Sequence, residues 1–196
     1  DQPDPIPDPE SDTAIPRAGR DPGTYKNLAP NPSFEEGTLT NWPDYYRPWY
    51  ANPMVDATGQ GWGQDSDSYH GDESLLVKSD GPVDDSGYWN GLYFYLAPQS
   101  DQEETYTLSF YIKTNAQGQT DQFQGRFGGS VVGESITWTA TNYLTTSWQR
   151  FSKQLTIPAN VSANYRIQIK VPIYSEPVWI DAIQLEEGTT LTAFEP

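Results

Sequence analysis

The sequence has no cysteine, one histidine and one methionine in 196 residues. Disulfide staples and thiol chemistry are therefore excluded, and a zinc centre, which draws on Cys and His, has only His70 to use. His70 is also the sole base available to a Ser-His-Asp hydrolase, and no G-x-S-x-G turn accompanies it; it reads as a structural loop histidine. Basic residues are scarce, 11 Lys and Arg against 27 Asp and Glu, for a net charge of −16. Such a surface repels phosphate backbones and anionic lipid, so nucleic acid is not an expected partner. No run reaches the roughly 18 consecutive apolar residues of a membrane span, and membrane insertion is not expected either. No basic-then-apolar leader opens the sequence, so a secreted origin implies a leader already removed. Amphipathic helices are missing as well: no window of helical length carries an i, i+3, i+4, i+7 apolar stripe free of glycine and proline.

Proline (17), glycine (16) and aromatic residues (14%) are plentiful. Residues 1–24 hold six prolines and six acids, a composition that stays extended and cannot pack, and they read as a linker or tail. Residues 25–196 are long enough for one domain burying roughly 70% of its unfolded surface. There the pattern alternates with period two. In TYTLSFYIKT, Tyr106, Leu108, Phe110 and Ile112 alternate with Thr107, Ser109, Tyr111 and Lys113. Leu92, Phe94 and Leu96 alternate with Tyr93 and Tyr95, and Tyr165, Ile167, Ile169 and Val171 with Arg166, Gln168 and Lys170. Strands at short intervals between Gly, Asn, Asp and Pro predict an all-β fold, a β-sandwich jelly roll of two antiparallel sheets with little helix. Ala51 to Glu73, with four glycines and a run of acids, reads as mostly loop.

Two catalytic carboxylates would suffice for a glycosidase, but nothing in the spacing singles out a pair. Calcium fits the composition better, since it takes oxygen ligands that sandwich loops supply. DSDSYHGDES (65–74) is not an EF-hand: its glycine is one place late and position twelve is Leu76.

Five segments in order, NLAPNPSFEEG (27–37) with Trp42, HGDESLLVKS (70–79), TYTLSFYIKT, SWQRFSKQLTIPA (147–159) and VWIDAIQLEEG (178–188), make residues 27–196 resemble the carbohydrate-binding modules of the family 4, 9, 16 and 22 type. The resemblance implies a calcium-stabilised jelly roll whose first and last strands are neighbours, bridged by a structural calcium. The matching ligands are Glu35, with Glu36 as substitute, and Asp181, completed by backbone oxygens near Gly71 and Asp72. Asp181, between Ile180 and Ala182, would be costly if left unpaired.

A sugar site combines flat aromatic faces with hydrogen-bonding side chains. Trp89, matching a tryptophan-glycine pattern at the groove of some such modules, and Tyr93, on the non-core parity, are the leading candidates. Gln124, Arg126, Arg166 and Gln168 would serve hydroxyls, and Tyr46 and Trp49 the rim. Trp62 between two glycines reads as a loop-tip contact, and Trp138 and Trp148 as packing residues. The expectation is a non-catalytic module from a secreted bacterial protein, extracellular and tethered to other domains, binding a polysaccharide or oligosaccharide as a monomeric unit. An adhesion or tail-type structural domain, and a small jelly-roll glycosidase or lyase, stand as alternatives. The net charge favours a neutral glycan, although Arg126, Arg166 and Lys170 form a local positive strip that screening isolates from the distant total.

Overall fold

The computed structural model describes residues 27–29, 32–35, 47–49, 61–78, 89–96, 102–115, 119–128, 136–160, 165–172 and 177–196, several strand residues by backbone alone. The tail (1–24), Glu36 and Tyr46 lie outside the described residues.

Ten strands follow one another: β1 Arg47–Trp49, β2 Gly61–Asp65, β3 Ser74–Lys78, β4 Trp89–Leu96, β5 Glu104–Thr114, β6 Gln119–Gly128, β7 Ile136–Leu144, β8 Gln149–Ile157, β9 Tyr165–Pro172 and β10 Val178–Glu187. They form two five-stranded sheets, ordered β1-β4-β9-β6-β7 and β2-β3-β10-β5-β8. Every described pairing is antiparallel. No helix occurs among the described residues. The period-two pattern dictates the core directly. Leu92, Phe94, Ile167 and Ile169 of the first sheet pack with Leu75, Tyr106, Leu108, Phe110, Ile112 and Ile180 of the second, all at most 2% exposed. Burying each such side chain is worth roughly 1.5–3 kcal/mol.

Three features depart from the sequence reading or extend it. Residues 61–65, read as loop, form edge strand β2, paired from Gly61↔Lys78 to Asp65↔Ser74. Its order comes from the ladder with β3 instead of from apolar alternation of its own. Trp62 accordingly sits in a strand opposite Val77, not at a loop tip. Second, β10 carries a bulge between Asp181 and Gln184, with Ala182 at φ 50°. One inserted residue reverses the parity, so Val178 and Ile180 before it and Ile183 and Leu185 after it are all buried. Third, the outer parity of β5 is covered as well: Thr107, Ser109 and Lys113 are buried. The C-terminal residues turn at Gly188 (φ 89°) and run back over that face. There Arg150 Nη1 donates to the Thr192 carbonyl (2.5 Å), Gln184 Nε2 to Thr192 Oγ1 (3.0 Å), and the Thr192 N–H to Glu186 (3.2 Å).

Candidate functional site

Two groupings emerge. The first lies where the N-terminal segment, the loop after β2 and the bulge of β10 meet. Beyond its pairing with β3, β10 is flanked by residues 27–29 and 32–34: the Leu28 N–H donates to the Leu185 carbonyl and the Ile183 N–H to the Pro32 carbonyl, both at 2.7 Å. Asn27 locks this junction with four hydrogen bonds, Nδ2 to the carbonyls of Ile183 and Glu195, and Oδ1 from the N–H groups of Ala29 and Leu185, each 3.0 Å. The two chain regions are thus neighbours.

Glu35 and Asp181 converge here on one short loop. Asp181, wholly buried, accepts the N–H groups of Tyr69 (2.7 Å) and His70 (2.9 Å) on Oδ2 and that of Ala182 (2.5 Å) on Oδ1. Glu35 accepts from the N–H groups of Asp72 (3.0 Å) and Glu73 (3.1 Å). Gly71 is required for this approach: a Cβ there would lie 2.2 Å from Glu35 Oε1. Burial drives the Asp181 carboxyl up to about 7; the three N–H bonds oppose the shift and the Glu35 charge adds to it. Burial, followed by the charges of Glu35, Asp65 and Asp72, also raises Glu73. Two buried oxygens nearby, Gln64 Oε1 and Glu73 Oε2, have no hydrogen-bond partner among the described residues, while Gln64 Nε2 donates to the Phe34 carbonyl (2.5 Å). Sequence reasoning missed both residues; the acids of 65–73 were its only signal.

Gly71 and Asp72 join this cluster differently from expectation. Asp72 presents its N–H to Glu35, and the Gly71 carbonyl accepts the Ser68 hydroxyl (2.8 Å), so Gly71 contributes a missing side chain. No group of three metal-ligating side chains forms among the described residues. The donors present are nonetheless all oxygen, include one fully buried carboxylate and two orphaned oxygens, and suit a hard cation. His70 pairs Nδ1 with Ser33 Oγ (3.0 Å) and packs edge-on against Phe194, a structural arrangement.

The second grouping is a set of cross-strand rows on the first sheet. Arg47 is opposite Tyr93, Tyr93 opposite Gln168, and Gln168 opposite Arg126, giving one row across β1, β4, β9 and β6. The next row runs Trp49, Gly91, Lys170, Gln124. Tyr95, Arg166 and Gly128 form a third, and Trp89 lies opposite Pro172 at the strand end. All share the parity opposite to buried Leu92, Phe94, Ile167 and Ile169. Seven sequence candidates from separate strands therefore belong to one sheet face, with glycine at its centre. Trp62 belongs to the other sheet.

This sandwich superimposes on TmCBM61, solved in complex with β-1,4-galactotriose, with a TM-score of 0.54 at 14% identity, over 84% of this chain and 100% of that one. It has the fold of carbohydrate-binding modules. The CBM22-1 xylan-binding domain of Paenibacillus barcinonensis Xyn10C gives 0.55 at 17% identity, over 82% of this chain and 94% of that one. A cyclase from Fischerella sp. TAU gives 0.59 at 17% identity, over 83% and 96%. No family profile and no curated protein matches the sequence.

Proposed function

We propose that the chain is a non-catalytic carbohydrate-binding module that targets an attached enzyme or surface protein to an extracellular polysaccharide. A cyclase uses the same fold, so fold alone does not separate binding from catalysis. The observation that carries the reading is the alignment of Tyr93, Gln168 and Arg126 in one row, beside Trp49, Lys170 and Gln124 in the next. An aromatic residue next to amide and guanidinium donors on a sheet face is the chemistry a pyranose needs: a flat apolar platform with hydroxyl partners alongside. The galactotriose and xylan of the structural neighbours make a β-linked, neutral backbone the first ligand to try. Tethering supplies effective concentration, so a Kd of about 10 μM to 1 mM is enough for this work.

Trp89→Ala tests the reading. It should weaken binding to a responsive polysaccharide ten- to a hundredfold (~1–3 kcal/mol) while the melting temperature changes little. Unchanged affinity in a stable variant would remove Trp89 from the site. Loss of stability by roughly 3–5 kcal/mol would mark it as a core residue instead.

The same proposal includes a structural calcium held by Glu35 and Asp181, with Glu73 and Gln64 supplying further oxygens. Its chemistry would be charge neutralisation of the buried Asp181 carboxylate and the exposed Glu35 carboxylate beside the same loop, tying residues 32–35 to β10. It takes no part in sugar recognition.

A further inference from the structure

We infer that the outer face of the second sheet carries a separate contact surface for a neutral pyranose unit, formed by Tyr69 and Trp148 with the Asp67 carboxylate. The inference takes its ligand class from the binding-module reading, but none of its residues belongs to the rows of the first sheet.

Tyr69 is 43% exposed yet firmly placed. Its backbone N–H is bound to Asp181 (2.7 Å), and its ring lies flat on Tyr111, with centroids 3.5 Å apart and an interplanar angle of 13°. One face of the ring is thereby used, and the exposure belongs to the other. Trp148 stands beside it, 6.2 Å away and inclined at 65°. The two rings make a corner whose geometry is set before any ligand arrives, and a preordered aromatic corner forfeits little entropy on binding. Trp148, expected from the sequence to be a packing residue, is only half-buried.

The charges in the strip select among ligands. Lys113 Nζ sits 5.1 Å from the ring centroids of both Trp148 and Trp179, and the same ammonium pairs with Asp67. The cation site between the indoles is therefore filled from within the protein, which leaves no place there for a cationic ligand. Asp67, whose side chain is 51% exposed, has its charge balanced by Lys113 and keeps its second oxygen for hydroxyl donors. Arg150, over the Tyr111 ring, is committed to Thr192, Ser109 and Gln184, so it is not available to an anion. Aromatic faces, one neutralised acceptor and no spare charge match the C–H face and hydroxyl rim of a neutral sugar. With sites on the outer faces of opposite sheets, one module would hold two glycan chains at once.

The experiment uses the indole N–H signals of the seven tryptophans, followed by two-dimensional NMR. Xylohexaose, cellohexaose and β-1,4-galactotriose are the titrants, and Trp148→Phe assigns the key signal. The expected result is a saturable shift of the Trp148 signal that persists in Trp89→Ala and weakens at least tenfold in Tyr69→Ala. If a sugar saturates Trp89 while the Trp148 signal stays fixed, the second surface is refuted and the module reading stands. If no titrant moves any indole, the module reading falls and this inference with it. The wild-type titration decides these cases even if a variant folds poorly.

Discussion

Two glycines with positive φ separate backbone strain from crowding. At Gly188 (φ 89°) an added Cβ meets nothing within 4 Å, whereas at Gly71 (φ 73°) it would fall 2.2 Å from Glu35 Oε1 and 2.6 Å from Glu35 Cδ. Gly188→Ala should therefore cost only the left-handed backbone, about 1–2 kcal/mol. Gly71→Ala should cost that and also displace a carboxylate that the Asp72 and Glu73 N–H groups hold, for a total of ~3 kcal/mol or more. Urea unfolding of the two variants measures the difference; equal losses would mean that Glu35 swings away freely. Strain gathers at the same place without glycine. Phe34, just before Glu35, and Ala182, just after Asp181, are both left-handed, at φ 59° and 50°. Each such residue costs on the order of 1–3 kcal/mol and persists only where its surroundings over-determine it. Here the fully buried Phe34 ring and the Ala182 N–H bond to Asp181 provide that restraint.

At the scale of elements, the return of residues 188–196 across the second sheet makes polar residues of β10 and β5 part of the interior. Gln184 is wholly buried and Glu186 is 4% exposed, and their partners are Thr192, Ala193 and Glu195. Deleting residues 189–196 should destabilise the domain by ~2–4 kcal/mol, since several buried hydrogen bonds, each worth about 1 kcal/mol net, are lost and water replaces them only partly. The midpoint of denaturant unfolding reads this, and an unmoved midpoint would show that the segment merely rests on the sheet. This cover explains what the sequence concealed. The inner parity of β5 was legible because alternation is local: Tyr106, Leu108, Phe110 and Ile112 declare themselves. Burial of Thr107 and Ser109 depends on residues some eighty positions later, and no local pattern encodes it. The bulge was hidden likewise, because VWIDAIQL keeps no single period across Ala182. Strand β2 owes its existence to β3, so its glycines read as a loop.

Over the whole molecule, net charge and the proposed calcium both bear on Asp181. The candidate rows were legible as parity within β4, β6 and β9, but the register joining Tyr93, Gln168 and Arg126 is a property of the assembled sheet. The corner of Tyr69 and Trp148 was not legible at all, since its two rings come from two loops, the one after β2 and the one between β7 and β8, and are supported by Tyr111 of β5. The pairing of Glu35 with Asp181 was reachable only through resemblance, and a titration tests its consequence. The Asp181 carboxyl, ordinarily near 3.8, stands at about 7 in the fold because burial penalises its charge. Between those values the metal-free folded state binds a proton that the unfolded state does not, so stability falls as pH rises from about 4 to about 7 and is level above. The full loss is on the order of 4 kcal/mol. A cation bound only by the folded state opposes it, by ~2.7 kcal/mol at a hundredfold excess over Kd. In chelator the protein should therefore melt higher at pH 5 than at pH 8, and added calcium should raise the pH 8 melting temperature more than the pH 5 value. The other acids of a chain with charge −16 tilt the curve in the same direction through mutual repulsion, so the control is Asp181→Asn, which should flatten the slope and abolish the calcium response together. A variant that kept both would move the metal and the titrating group elsewhere; one that lost the slope but kept the response would leave the titration at Asp181 and assign the cation to Glu35, Glu73 and their neighbours.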